Sequence, residues 1–118
     1  MHLYLNSRDE LLRLDTDRIV YFESDGNYTN VVMTNKIKNK ISCNLSTMET
    51  ILTNKLGEAA MVYMRIGKRF IVNVRFIHSI CIHKQMLVVT DGLHFAYQLP
   101  ISKEALKKAK DIIVNETK

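Results

Sequence analysis

From residue 2 to residue 43 the apolar positions come in short runs separated by turn residues. "HLYL" alternates weakly, "SRDE" turns the chain, and "ELLRL" follows. "RIVYFES" is rich in β-branched and aromatic residues and stops at Asp25-Gly26-Asn27. Gly accepts a positive φ without strain, so Asp25-Gly26 between apolar runs predicts a hairpin with "YTNVVMT" as the return strand. "NKIKNKISC" then alternates with period two. Ile37, Ile41 and Cys43 fall on one face and Lys36, Lys38 and Lys40 on the other. That pattern predicts a half-buried strand with a lysine row toward solvent.

The period changes at "NLSTMETILTNKLG", residues 44–57, where Met48, Ile51, Leu52 and Leu56 stand at helical spacing. Ser46 with Glu49 three residues later reads as a capping box. Gly57 suits the left-handed position that ends a helix. A helix of about three turns is expected here.

Period two returns in "MVYMRI" and "KRFIVN", which flank Gly67, and in the pair "IHSICIHK" and "MLVVTDG". In "LHFAYQL" the residues Leu93, Phe95, Tyr97 and Leu99 share a face, and Pro100, with no N–H to donate, ends the ladder. A second helix follows in "SKEALKKAKDIIVNE". Ser102 is its N-cap, and Ala105, Leu106, Ala109, Ile112 and Ile113 form its apolar stripe. The strands follow one another too closely for βαβ crossovers, so antiparallel sheets are expected. The fold class is mainly β, with two short helices.

The 118 residues suit one domain, spanning 1–118. No apolar run approaches the ~18–20 residues of a membrane-spanning helix. Charges enter the N-terminus too early for a secretory signal, which makes the cytoplasm the expected location. Cys43 and Cys81 lack a framework spacing and read as two small buried apolar residues. The net charge of +5 is unevenly placed. Residues 1–60 hold seven Lys/Arg and eight Asp/Glu, whereas residues 61–118 hold ten and four. A one-sided basic field favours a polyanionic partner, of which nucleic acid is the commonest.

Catalytic or metal chemistry finds little support. His2, His78, His83 and His94 form no HxxxH or HxH pair, and CxxC, a phosphate-cradling glycine loop and a nucleophile elbow are all missing. No cofactor, metal or small-molecule substrate is implied, and an enzyme is the least favoured class. Glu23 and Asp25 stand at strand spacing and read as turn chemistry and solubility.

The basic positions say more. "YMRIGKRFIVNVRFI", residues 63–77, sets four cations in a segment apolar enough for a buried strand. An unpaired buried charge is costly, so cations must point outward. Gly67 breaks the strand pattern and is expected to bend the chain, projecting Lys68 and Arg69 from the sheet that Phe70, Ile71 and Val72 enter. Lys103 sits at the first position of the last helix, where the macrodipole disfavours a cation. The N-terminal amides and the Ser102 hydroxyl there form an anion site to which Lys103 adds charge.

"RIVYFESDGNYTNVVM", "NLSTMETIL", "MRIGKRFIVNVRFI" and "LPISKEALKK", in this order, resemble the LytTR DNA-binding domain family. The resemblance runs from about Leu3 to Ile113, and its most specific parts are "IVYFESDGNY", "RIGKRFIVN" and "PISK". It implies an elongated fold of about ten short strands in antiparallel sheets with small helices. It also implies that loops at the sheet edges, rather than a recognition helix, enter successive major grooves of double-stranded DNA.

By motif position, three segments would face DNA: Asn27, Tyr28, Thr29 and Asn30; then Lys68 and Arg69, with Arg65 beside them; then Ser102 and Lys103. Where the family commonly carries His, a small polar residue and Arg, this chain has Gly67, Arg69 and Lys103. Lys lacks the rigid donor fork of Arg, so base preference is expected to differ. Members usually join this domain to a phosphoacceptor receiver or to membrane helices. A start so close to the first strand favours a stand-alone regulator.

The expected function is a bacterial transcriptional regulator that binds duplex DNA sequence-specifically. Two copies on repeated sites, and a homodimer on DNA, go with it. Two other classes compete. A β-rich RNA or single-strand binder would expose stacking aromatics, whereas Phe70, Phe76, Phe95 and Tyr97 are expected to look inward. A protein-interaction module would carry the basic loops for solubility alone.

Overall fold

Four consecutive residues of one strand, Ile19–Phe22, are apolar, and all four are buried. A strand of that kind needs cover on both faces. The computed structural model describes residues 1–116 and shows how the cover is supplied. The last two residues of the expected 1–118 span lie outside the described residues. The strands are β1 His2–Asn6, β2 Leu11–Asp15, β3 Ile19–Asp25, β4 Tyr28–Met33, β5 Lys38–Ile41, β6 Tyr63–Ile66, β7 Phe70–Asn73, β8 Ile77–Cys81, β9 Met86–Thr90 and β10 Ala96–Pro100. The helices are α1 Leu45–Leu56 and α2 Lys103–Glu116.

A central sheet of order β5-β4-β3-β7-β6 is flanked by the pair β1-β2 and by the sheet β10-β9-β8. Every pairing is antiparallel. One face of the central sheet packs Phe22, Val31 and Ile71 against Leu3 and Leu14 of the β1-β2 pair and Met48 and Leu52 of α1. The other face packs Tyr21, Val32 and Val72 against Leu87, Val89 and Leu99 of the third sheet and Leu106 of α2. The molecule is elongated, measuring 43 × 27 × 27 Å. Among the described residues, ten strands in antiparallel sheets and two helices are the architecture expected from sequence.

Several local expectations need correction. The N-cap of α1 is Asn44, whose side chain accepts the Thr47 N–H at 2.8 Å; Ser46 lies inside the helix. Asn is as good a cap as Ser, and capping here starts the helix one residue before Ser46. Gly57 does end α1, at φ +57°, and the chain continues as a 3-10 turn over Gly57–Val62, so Met61 and Val62 precede β6 rather than belong to it.

Ile37 is exposed in the turn before β5, next to Lys36 at φ +72°, so the period-two face begins only at Lys38. Leu93 is exposed as well. Asp91 accepts the N–H groups of Leu93, His94 and Phe95 and thereby holds 91–94 as a turn, which delays β10 to Ala96. On α2 the stripe is narrower than expected, because Ile112 is exposed while Leu106 and Ala109 are buried. Both cysteines are free and half-buried rather than fully buried.

Candidate nucleic-acid interface

Strand register gathers two of the three segments at one end of the central sheet, and the start of α2 packs against one of them. Asp25 pairs with Tyr28 at the β3–β4 turn, and Glu23 of β3 pairs with Phe70 of β7. The β6–β7 turn, residues 67–69, therefore lies beside the end of β3, and the Ser24 N–H donates to the Arg69 carbonyl at 2.9 Å. Gly67 takes φ +71°, and a Cβ built on it would lie 3.5 Å from Ala105 Cβ and 3.8 Å from Ile101 Cγ2. The first turn of α2 thus abuts the β6–β7 turn. Between them runs an open groove lined by Met64, Ile66, Arg69, Ile101, Ser102 and Lys107.

Gly67 makes the bend that the sequence implies, and Phe70, Ile71 and Val72 enter the core behind it. Lys68 and Arg69 are exposed, as is Lys103. Among the described residues the side chains of Lys68 and Lys103 have no hydrogen-bond or ion-pair partner. The Ser102 hydroxyl accepts the Ala105 N–H at 3.3 Å and so caps α2 as expected.

The two arginines of this region are engaged. Arg65 Nε donates to Gly67 O at 3.0 Å, Nη2 to Lys68 O at 3.0 Å, and Nη1 pairs with Glu49 of α1 at 3.2 Å. Arg65 therefore braces the turn from within. Arg69 Nη2 meets Glu23 Oε2 at 2.6 Å, and its guanidinium lies 5.2 Å from the centre of the Phe70 ring. The remaining cation of the 63–77 stretch, Arg75, pairs with Asp17 at 3.3 Å.

The hairpin segment divides in a different way. Asn27 and Tyr28 are exposed at the tip. Thr29 is fully buried, and its hydroxyl donates to the Cys43 carbonyl at 2.9 Å. That bond ties β4 to the segment leading into α1 and leaves the side chain nothing to offer a groove in this conformation. Asn30 is buried too, donating to Asp25 at 3.3 Å. Asp25 also meets Lys40 at 3.3 Å, and Lys40 lies 5.1 Å above the Tyr28 ring. Hydrogen bonds from Lys40 first, then Asn30, hold the Asp25 carboxyl below the usual carboxylate range. Beneath Glu23, burial, with Glu23 adding to it, pushes the Tyr21 hydroxyl up to about 12.

Three participants escaped the sequence reading. Glu23 looked like turn chemistry, Glu49 like half of a capping box, and Lys40 like one of an undifferentiated row. For Glu23 and Lys40 a signal existed. Both belong to the period-two face of Tyr21 and Val32, close to a turn that carries basic neighbours. Glu49 reaches Arg65 across the α1–sheet interface, which no local pattern encodes.

The aromatic rings do look inward. Phe70 and Phe95 are buried, while Phe76 and Tyr97 are half-buried and pack on Phe95 and Tyr21 with ring centres 5.5 Å apart in each case. The exposed aromatics, Tyr4 and Tyr28, sit on different sheets. Among the described residues no helix is long and apolar enough to cross a membrane, and no cluster of His, Cys, Asp or Glu could hold a metal ion.

Residues 9–114 match the family model described as the LytTr DNA-binding domain. No curated protein matches the chain. Among solved structures, the fold is similar to the LytTr DNA-binding domain of a Bacillus cereus protein assigned as a methyl-accepting/DNA response regulator. The TM-score is 0.68 at 18% identity, over 95% of each chain. At that identity the likeness speaks for the fold alone, and the family match covers most of the sequence. The chain belongs to the LytTR family of DNA-binding domains.

Proposed function

We propose that the protein is a sequence-specific transcriptional regulator that grips the major groove of duplex DNA with the turns at one end of its central sheet. The observation that carries this reading is the meeting of the β6–β7 turn with the first turn of α2. It sets the turn that carries Lys68 and Arg69 against the first turn of the helix that begins at Lys103; all three side chains are exposed, and those of Lys68 and Lys103 are unpartnered. An ammonium group in water keeps its hydration until a phosphate or a base edge replaces it. Phosphate contacts would supply most of the affinity, and base contacts the specificity.

Lys68 and Lys103 are the candidates for phosphate oxygens or guanine O6 and N7. Asn27 and Tyr28 would touch the flank, and Ser102 would shape the start of α2. Thr29, Asn30 and Arg65 belong to the scaffold that holds these positions. The whole span acts as one DNA-binding unit. Two copies on repeated sites would double the contact area of so small a module, and a bacterial DNA partner would be met in the cytoplasm.

Selection from a random duplex library, followed by titration of the selected sequence against salt, tests the reading. Recovery of a motif is expected, with affinity falling steeply as salt rises and duplex preferred over single strands. No motif and no duplex preference would overturn it. Preference for single strands would favour the RNA or single-strand class. Absence of any nucleic-acid binding at low salt would favour a protein-interaction module.

A further inference from the structure

Glu23 is an anomaly on a surface that meets a polyanion. Its carboxylate stands among the exposed basic positions and would repel phosphate if left alone. It is not left alone, for the 2.6 Å contact with Arg69 is the shortest ion pair among the described residues. The pair is built into the fold. Glu23 lies opposite Phe70 in the β3–β7 ladder, and the Phe70 ring supports the guanidinium from beneath. The neighbouring Ser24 N–H fixes the Arg69 carbonyl, so backbone and side chain of the turn are both fastened to β3. The Glu23 side chain is 23% exposed and that of Arg69 57%, so the acid sits deeper and the base stands above it.

We infer that Glu23 is a specificity-determining positioning residue for DNA, acting through Arg69; the inference rests on the DNA-binding reading above. The carboxylate engages one Nη of a guanidinium whose side chain is 57% exposed, and leaves other N–H donors free for a ligand. Arg carries five such donors in a rigid fork, so a fork held on one side can still address a base edge on the other. The same pairing cancels the charge of Arg69 toward phosphate. Random duplex offers phosphate everywhere and the correct base edge rarely. Glu23 therefore withholds Arg69 from sequence-independent contact and presents it for base reading.

The test measures affinity for the selected duplex and for random duplex, each against salt, for the wild type and the Glu23→Gln, Glu23→Asp, Arg69→Ala and Glu23→Gln/Arg69→Ala variants. Circular dichroism confirms that each is folded. In Glu23→Gln, binding to random duplex should tighten severalfold and the ratio of selected to random affinity should fall. The slope of log affinity against log salt should steepen by about 0.9, the increment of one added phosphate contact. Glu23→Asp, which keeps the charge, should retain the wild-type slope. The steepening should vanish in the Arg69→Ala background, because no guanidinium remains to be released.

An unchanged slope and ratio in Glu23→Gln would overturn the inference while leaving DNA binding intact. An equal steepening with and without Arg69 would overturn it too, by reducing Glu23 to simple repulsion. Failure of the wild type to bind duplex would instead sink the DNA-binding reading itself.

Discussion

Two turns project side by side from one end of the central sheet, and both come from segments with the same motif-based claim to DNA. In the β6–β7 turn the residues that face outward, Lys68 and Arg69, are cations, and Arg65 and Gly67 support them from behind. In the β3–β4 hairpin only Asn27 and Tyr28 face outward, while Thr29 and Asn30 turn their polar groups inward to Cys43 and Asp25. The cause is position relative to strand pairing. Thr29 and Asn30 lie within β4 between β3 and β5, where a polar side chain must find a partner in the protein. Residues 67–69 connect two strands, and the side chains of Lys68 and Arg69 stay exposed although α2 abuts Gly67. A place in a motif does not by itself make a side chain available to a ligand.

This contrast can be broken by mutation. The largest effect is expected for Lys68→Ala, which should cost ~1–3 kcal/mol of affinity for the selected duplex and leave the unfolding midpoint unchanged. Lys103→Ala should behave alike, and loss of stability without loss of affinity in either would reverse the assignment.

Thr29→Val should show the opposite signature. It removes the hydroxyl bonded to Cys43 O and should cost about 1–2 kcal/mol in urea unfolding, while base preference stays as in the wild type. A change in the selected motif would return Thr29 to the interface.

Gly67→Ala should cost about 1 kcal/mol of stability, because a Cβ is strained at φ +71°. DNA affinity should fall as well if the bend is what aims Lys68.

The smallest effect concerns pH. The Asp25 carboxyl is held below its ordinary value when folded, so its contribution to stability is present above the unfolded pKa and fades as pH falls through the folded one. Asp25→Asn should flatten that acid-side loss slightly. A loss of stability on the alkaline side would contradict the assignment.

Much of this architecture was legible in the sequence. The Asp25-Gly26 turn, the bend at Gly67, the Ser102 cap and the stop at Gly57 each follow from one residue's backbone or hydrogen-bonding chemistry. Two of the errors come from polar side chains that bond to the backbone. Asn44 rather than Ser46 caps α1, and Leu93 leaves the strand pattern because Asp91 captures three backbone N–H groups. At Leu93 a polar side chain competed with an apolar pattern and prevailed; at α1 two polar residues competed for the cap and the earlier one holds it. At the interface the exposed cations could be read from the chain. The brace Glu49–Arg65 could not, because it joins residues distant in sequence through the packing of α1; for Glu23 the strand period marked the face, but the pairing with Arg69 follows only from the β3–β7 register.

The most direct test of the interface is amide chemical-shift mapping during titration with the selected duplex. Shifts should concentrate on residues 67–69, on 102–104 and at the Asn27–Tyr28 tip, and leave the β1-β2 pair and β8 unmoved. Shifts centred on those two regions, with residues 67–69 and 102–104 unchanged, would contradict the account.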